Sequence, residues 1–226
     1  MYINYFRFIA LAKSIFTSNW KCLLIFLLVM VSVPIANARE LDSISMTSRL
    51  FAIKNQHFVK AYLLKNKRNL TEIKKKSAQP FHLIDAIFKA EGVPIQLRYL
   101  VVVESELNTR AVSRVGAAGP WQLMPATAKL LGLKITAHRD DRMNFSKSTM
   151  AAARHLKGLH EKYANWLLVV AAYNCGDQSV LDAIKDSGSC NYSVLEKYLP
   201  TETREYVAKY IATSNFFEGS CRLAVF

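Results

Sequence analysis

From residue 81 onward, apolar residues recur every three or four positions, and this spacing restricts what the chain can fold into. Phe81, Ile84, Ile87 and Phe88 form the first such stripe, which Gly92 and Pro94 should end. An almost continuously apolar stretch, residues 166–173, predicts a central buried helix. No alternating strand pattern of useful length occurs, so the sequence predicts an all-α fold. Further helical stretches lie at residues 97–103, 150–159, 180–184 and 206–211.

Several residues indicate where helices should begin and end. Pro125 suits a first helical position, and Gly132 suits the end of the same helix. Asp177 and Thr201 are predicted to cap the helices that follow them, because their side-chain oxygens can accept the free N–H groups of a first turn.

The N-terminal region reads as an export signal. Arg7, Lys13 and Lys21 are the only charges in residues 1–38, and the apolar run 22–33 precedes Ala36-Asn37-Ala38. A basic start, a short apolar core and small residues predict a signal peptide cut after Ala38. An uncleaved anchor is the alternative, because residues 2–15 are also apolar. The expected location is therefore the periplasm or cell envelope. Residues 39–80 should form a basic, partly helical segment, and residues 81–226 the main domain.

Charge and cysteine content restrict the partners. The net charge of +13 favours anionic partners, which include acidic polymers, acidic lipid surfaces and nucleic acid. Recognition motifs for nucleic acid are missing, so no nucleic acid is expected. Cys175, Cys190 and Cys221 follow the signal, which permits one disulfide of undetermined pairing. They lack metal-ligand spacing, and neither a metal nor a cofactor is expected.

Glu104 is the main candidate for chemistry. It directly follows the apolar run 99–103, so partial desolvation should raise the pKa of its carboxyl group. A carboxyl group that stays protonated near neutral pH can donate a proton to a leaving oxygen. The alternative is a glutamate at a solvated helix end.

The segment 115–128 combines glycines, an aromatic and an amide before a helix. Glycines let the backbone approach a ligand. Gln122 can hydrogen-bond sugar hydroxyl or N-acetyl groups, and Trp121 is expected to offer an apolar face to a sugar. A tight turn leading into a helix is the alternative interpretation.

Three motifs together carry a family resemblance. Glu104-Ser105 is followed by Gly-x-x-Gly-x-Trp-Gln-Leu-Met-Pro-x-Thr-Ala at 116–128, then Ala-Tyr-Asn-x-Gly at 172–176, then Leu-Pro-x-Glu-Thr-x-x-Tyr-Val at 199–207. This order resembles the soluble lytic transglycosylase domain, and the subtype it most resembles is the membrane-bound lytic murein transglycosylase D group. The resemblance covers residues 81–217 and implies a lysozyme-like helical catalytic domain. It implies that Glu104 is the catalytic acid and base, that Ser105 positions it, and that the cleft is lined by Gln122, Met124, Tyr173 and Asn174.

The resemblance also implies a reaction. Peptidoglycan glycan strands would be cleaved between N-acetylmuramic acid and N-acetylglucosamine without water, which leaves 1,6-anhydro-N-acetylmuramic acid ends. Association with a membrane or cell-wall surface is a further expectation. A hydrolase resembling goose-type lysozyme and a non-catalytic glycan-binding protein are the alternatives. A hydrolase of inverting type would need a second carboxylate, for which Glu106, Asp140 and Asp141 are the candidates.

Overall fold

The computed structural model describes residues 55–219, and these form a bundle of helices. The predicted signal peptide, the start of the basic segment before residue 55, and Cys221 lie outside the described residues. Among the described helices, none combines the length and the apolar character needed to cross a membrane. The helices, in chain order, are α1 Gln56–Lys76, α2 Ala78–Glu91, α3 Leu100–Ser105, α4 Pro125–Leu130, α5 Phe145–Tyr163, α6 Trp166–Cys175, α7 Asp177–Ser187, α8 Tyr192–Leu195 and α9 Thr201–Glu218.

Shorter elements join these helices. One turn of 3-10 helix, Ile95–Tyr99, leads directly into α3, so the predicted buried helix 97–103 begins as a tighter turn. Two further 3-10 turns cover Asp141–Met143 and Glu196–Tyr198. A two-stranded antiparallel ribbon pairs β1, Ile135–Thr136, with β2, Arg139–Asp140. With two-residue strands, the ribbon leaves the predicted all-α class intact.

Helix α6 occupies the centre of the bundle, as its apolar sequence predicts. Its residues from Trp166 to Ala172 are all buried, and it packs against α5, α7 and α9. The apolar stripe of α2 faces inward too, with Ile84 and Phe88 fully covered. Burying such side chains stabilises the fold by roughly 1.5–3 kcal/mol each.

Helix α1 lies against the last helix of the domain. It packs on α9, and Val59, Leu70 and Ile73 are its buried positions. Its lysines are all exposed, and Lys74 also donates to the Phe217 carbonyl 2.7 Å away. The domain boundary expected at residue 80 stays a prediction, while α1 itself belongs to the same compact unit as the helices that follow it.

Both predicted side-chain caps are wrong, although the helices begin as expected. Helices α7 and α9 start at Asp177 and Thr201, but neither has a side-chain cap hydrogen bond. The Asp177 carboxylate instead accepts from the Tyr163 hydroxyl at 2.6 Å and pairs with Lys162. The Thr201 hydroxyl accepts from Arg204 at 2.8 Å. In contrast, Pro125 is the first residue of α4, as predicted.

Candidate active site

Glu104 occupies the last turn of α3, at the end of an apolar helix. The preceding Leu100, Val101 and Val102 are buried, whereas Glu104 itself is half-buried. Desolvation by these surroundings raises the pKa of Glu104 from 4.5 to about 7. The pKa expected to be raised from the sequence is therefore raised in the structure, and the carboxyl group is partly protonated at neutral pH.

Tyr206 is the direct partner of this carboxyl group. Helix α3 packs against α9, and the Tyr206 hydroxyl donates to Oε1 of Glu104 at 2.5 Å. This bond favours the charged carboxylate and opposes the effect of burial on the Glu104 pKa. Burial and the nearby Glu104 charge raise the pKa of Tyr206 well above 10, so Tyr206 stays a neutral donor. Sequence reasoning placed Tyr206 only as an inward-facing residue, although the third motif contains it.

The hydroxyl groups of Ser105 and Tyr173 both hydrogen-bond to the backbone of the loop between α3 and α4. The Ser105 hydroxyl donates to the Pro120 carbonyl at 2.7 Å. The half-buried Tyr173 donates to the Trp121 carbonyl at 2.7 Å. The Glu104 charge contributes to the raised pKa of Tyr173, which places this phenol in the same electrostatic environment. The structure therefore brings Glu104, Ser105 and Tyr173 together around one loop.

Gln122 lies in the same loop, at a position of unusual backbone conformation. Its backbone is left-handed, with φ of 47°, and its amide Nε2 donates to the carbonyls of Gly119 at 2.8 Å and Ala111 at 3.2 Å. A non-glycine residue held at positive φ costs on the order of 1–3 kcal/mol and is frequent at functional sites. Because Nε2 is engaged, the half-buried amide is fixed in orientation. Next to it, Met124 leaves 42% of its surface exposed.

Arg142 holds the same loop in place through its buried side chain. The sequence alone did not indicate this role. Its side chain is 8% exposed, and Nη1 donates to the carbonyls of Gly116 at 2.7 Å and Leu123 at 3.0 Å. Asp140 neutralises the buried guanidinium through bonds of 3.0 and 2.7 Å. A buried charge is tolerated only when it is paired and hydrogen-bonded in this way. The loop that presents Gln122 is thus clamped at two carbonyls.

Asn174 joins the second motif to the third. It is half-buried near the end of α6, and its Oδ1 accepts from the Thr203 hydroxyl of α9 at 2.9 Å. Within residues 55–219, its neighbour Cys175 and the exposed Cys190 form no disulfide with each other, and the predicted single disulfide stays untested because Cys221 lies outside this range. The amide of Asn174 is therefore oriented by α9, which also provides Tyr206.

Trp121 does not have the expected role. Its side chain is 0% exposed and packs against Phe88, and its indole N–H donates to the Thr149 hydroxyl at 2.9 Å. The prediction that it offers a face to a sugar is wrong, because the loop folds this large apolar ring into the core. Trp121 supports the loop from inside.

The three candidates for a second carboxylate are all bound elsewhere. Glu106 accepts from the Asn69 amide at 2.5 Å, and Asp140 holds Arg142. Asp141 binds Arg139 and Lys147 at 2.8 and 3.0 Å and accepts the Lys134 N–H. These bonds hold the pKa values of Asp140 and Asp141 below their usual range. Within residues 55–219, no group of His, Cys, Asp and Glu is arranged to hold a metal ion.

Replacing Tyr206 with phenylalanine should raise the pKa of Glu104 above its value of about 7. The reason is that the lost hydroxyl favours the charged carboxylate, while the desolvation that favours the neutral acid remains. NMR titration of the side-chain carboxyl carbon measures this shift. Tyr210→Phe is the matched control, since Tyr210 is a buried tyrosine one turn further along α9. An unchanged or lowered Glu104 pKa in Tyr206→Phe would contradict the assigned hydrogen bond.

Comparison with known sequences identifies a protein family that this chain matches. The model of the family described as Transglycosylase SLT domain matches residues 83–195, which is half of the chain. Membrane-bound lytic murein transglycosylase D of Escherichia coli strain K12 is 35% identical over 165 residues. That match covers 72% of this chain but 36% of the relative, so the chain spans about a third of the relative's length. Peptidoglycan transglycosylase gp16 of Escherichia phage T7 is 40% identical over 91 residues, covering 39% of this chain and 7% of gp16.

Comparison with solved structures concerns the fold. The 70 kDa soluble lytic transglycosylase SLT70 of Escherichia coli superposes with a TM-score of 0.58 at 20% identity. The match covers 77% of this chain and 30% of SLT70. The all-α fold predicted from the helical spacing and the lysozyme-like architecture implied by the family resemblance are thereby confirmed.

Proposed function

The chain belongs to the transglycosylase SLT domain family, and we propose on that basis that it is a peptidoglycan lytic transglycosylase. The observation that carries the proposal is Glu104, a half-buried carboxyl group with a pKa of about 7. The candidates for a partner carboxylate are engaged by other side chains. One carboxyl group that can both give and take a proton suits a reaction without an activated water.

The reaction begins with protonation of the leaving oxygen. Neutral Glu104 donates its proton to the oxygen that bridges N-acetylmuramic acid and N-acetylglucosamine, and that bond breaks. Positive charge develops at the muramic acid C1, next to the carboxylate that remains and to the sugar's own N-acetyl group. The Tyr206 hydroxyl stabilises the new carboxylate, because its hydrogen bond is already formed in the resting site.

The reaction ends with ring closure inside the same sugar. The Glu104 carboxylate takes the proton of the C6 hydroxyl, and the C6 oxygen attacks C1 to form the 1,6-anhydro ring. Ordinary glycosidases divide these tasks between two carboxylates. Here the nucleophile belongs to the substrate, and intramolecular attack gains greatly in effective concentration. Glu104 is returned to its protonated state.

The other predicted residues form the walls of this cleft in the proposal. Ser105 and Tyr173 hold the Pro120–Trp121 backbone beside Glu104, which supports a positioning role. Gln122 and Asn174 are amides of fixed orientation, suited to sugar hydroxyl and N-acetyl groups. Met124 offers an exposed apolar side chain next to them.

We further propose that the protein is exported and works in the periplasm or cell envelope. The support is the signal-like pattern of residues 1–38 and the match to a relative named as membrane-bound. The exposed basic side chains of α1 suit attraction to an anionic wall or membrane surface. These side chains are Lys60, Lys65, Lys67, Arg68, Lys74, Lys75 and Lys76.

The product distinguishes this reaction from hydrolysis. Digestion of purified peptidoglycan should release fragments ending in 1,6-anhydro-N-acetylmuramic acid, each lighter by one water than a hydrolase product. Mass spectrometry measures the mass, and a reducing-sugar assay should detect no new ends. Reducing ends that appear in step with cleavage would support the lysozyme-like alternative. Absence of clearing in a zymogram would support the glycan-binding alternative.

A further inference from the structure

Helix α1 contacts both sides of the Glu104–Tyr206 pair. It packs along α9, the helix that carries Tyr206, with its buried apolar side chains. It also reaches the turn after α3, because the Asn69 amide donates to Oε1 of Glu106 at 2.5 Å. Glu106 lies two residues beyond Glu104. One helix therefore connects the turn that carries the acid with the helix that provides its hydrogen-bond partner.

The turn after α3 has a conformation that needs support from other parts of the fold. Helix α3 has six residues, and isolated helices shorter than about 12–15 residues are marginal. Glu106 and Leu107, which follow it, are consecutive non-glycine residues with φ of 57° and 69°. A left-handed conformation is unfavourable for a residue with a Cβ, and it persists where surrounding contacts impose it. The position of Glu104 in the last turn of α3 therefore depends on contacts from outside the helix.

Asn69 supplies such a contact from a fixed position on α1. The next residue, Leu70, is 2% exposed, so this part of the helix is anchored in the core. One turn or two before it, the Tyr62 hydroxyl shares a hydrogen bond with the Thr213 hydroxyl of α9 at 3.4 Å. Burial raises the pKa of Tyr62, and the Glu106 charge raises it further. The turn after α3 thus lies close to the junction of α1 and α9.

The bond between Asn69 and Glu106 is suited to positioning more than to global stability. A hydrogen bond to an ionised acceptor is roughly twice as strong as a neutral one. Both side chains are exposed, so the loss of the bond should leave the fold intact. In contrast, misplacement of a catalytic group by about 1 Å can cost about 10²-fold in rate. Loss of the bond should therefore affect the reaction before it affects folding.

We propose that Asn69 is a positioning residue for the catalytic acid, which holds the turn at Glu106 so that the Glu104 carboxyl group stays against the Tyr206 hydroxyl. This role rests on the proposed function for its effect on the reaction, because it takes Glu104 as the acid. Asn69 acts through Glu106 and the backbone of the turn, without contact to the sugar.

The coupling between Glu104 and Tyr206 tests this role without any cleavage. Tyr206→Phe should raise the Glu104 pKa as long as the two groups are held together, and NMR titration of the side-chain carboxyl carbon measures the shift. Asn69→Leu removes the hydrogen bond and changes no charge. In that background, Tyr206→Phe should produce at most about half the shift that it produces in the wild type.

Asn66→Leu is the matched control for this measurement. Asn66 lies about one turn earlier on α1, and its amide donates to the Tyr62 carbonyl of its own helix at 2.8 Å. In the Asn66→Leu background, Tyr206→Phe should shift the Glu104 pKa as much as in the wild type. Equal shifts in the Asn69→Leu and Asn66→Leu backgrounds would overturn the proposal.

Turnover of purified peptidoglycan is the second measurement. Asn69→Leu should lower kcat about tenfold and leave KM within about twofold, since the bond positions the acid and contacts no substrate. Asn66→Leu should keep the wild-type kcat. Melting temperatures of both variants show how much of each sample is folded. A wild-type kcat in the folded fraction of Asn69→Leu would mean that Asn69 has no positioning role.

Reversal of the donor and the acceptor distinguishes the hydrogen bond from other properties of the side chain. Asn69→Asp places two carboxylates face to face and should lower kcat at least as much as Asn69→Leu. Adding Glu106→Gln to Asn69→Asp sets an amide donor opposite a carboxylate acceptor and restores the net charge of the pair. The double variant should recover most of kcat and most of the coupling between Glu104 and Tyr206. Recovery of neither would contradict the proposal.

The positioning role and the proposed function can fail separately. If the coupling between Glu104 and Tyr206 depends on Asn69 but the wild type releases no fragments from peptidoglycan, the contact is retained and the proposed function is lost. If the wild type yields anhydro products and Asn69→Leu yields them at the same rate, the proposed function is retained and the positioning role of Asn69 is lost.

Discussion

Glu104→Gln should abolish cleavage of peptidoglycan and leave the fold intact. General acid–base catalysis contributes about 10²–10⁴-fold to a rate, and in the proposed reaction one residue supplies both steps. We therefore expect a loss of at least about 10³-fold in kcat. The amide is isosteric with the carboxyl group and can still accept the Tyr206 hydrogen bond, so the packing around α3 is retained.

The same variant should become more stable relative to the wild type as pH rises. The pKa of Glu104 is about 7 in the folded protein, above the ordinary value of 4.5. Between these pH values the folded state holds a proton that the unfolded state has released, so wild-type stability falls as pH rises from about 4.5 through 7. Glutamine does not ionise and shows no such loss.

Melting temperatures of both proteins from pH 5 to pH 8, with zymography at each pH, measure these effects. The melting temperature of Glu104→Gln should rise relative to that of the wild type as pH increases. Glu161→Gln, at an exposed position on α5, is the matched control. It should retain activity, and its melting temperature should differ from that of the wild type by the same amount at every pH. Full activity of Glu104→Gln would show that another group is the acid. A constant stability offset would show that the Glu104 pKa is not raised.

The helices were predictable because their signals are local. Apolar spacing located α2 and α6, and Pro125 marked the start of α4, since each depends on residues within a few positions. The caps failed for the opposite reason. Asp177 has the right side chain for a cap, but Tyr163 and Lys162 of another helix compete for it. Sequence periodicity carries no information on such competition.

The geometry of the candidate site was predictable where a motif and a chemical reason coincide. Glu104 follows an apolar helix, and the structure gives it the raised pKa that desolvation implies. Its partner Tyr206 lies 102 residues away, and Arg142 reaches the Gly116 carbonyl across 26 residues. Only the packing of α9 on α3 creates the first contact. Trp121 was misassigned because its type suits both a sugar platform and a core, and burial alone distinguishes them.

Gly119→Ala should be the most destabilising single-methyl change in the loop that presents Gln122. Gly119 has φ of +80°, and a Cβ there would lie 1.9 Å from the carbonyl oxygen of Arg142 and 2.6 Å from its carbonyl carbon. Arg142 cannot retreat easily, because its buried side chain is bonded to Asp140 and to the carbonyls of Gly116 and Leu123. The two backbone segments must separate.

Separation removes hydrogen bonds that shape the loop presenting Gln122. The Gly119 N–H donates to Ala111 at 2.8 Å, and the Gly119 carbonyl accepts from the Gln122 amide at 2.8 Å. Positive φ costs about 1 kcal/mol or more for alanine, and overpacking adds about 1–3 kcal/mol. A total of about 3 kcal/mol corresponds to a melting temperature lower by about 10 °C in a domain of this size.

Gly116→Ala distinguishes the two causes of the lower melting temperature, which are the positive φ and the clash with the Arg142 backbone. Gly116 has φ of +87°, but nothing lies within 4 Å of the position its Cβ would occupy. It therefore carries the conformational strain without the clash and should lower the melting temperature by about 3 °C. Specific activity of the folded fraction should fall in Gly119→Ala, because the orientation of Gln122 depends on the Gly119 carbonyl. Equal melting temperatures for the two variants would mean that the Arg142 backbone yields, and that the clamp beneath the loop is not rigid.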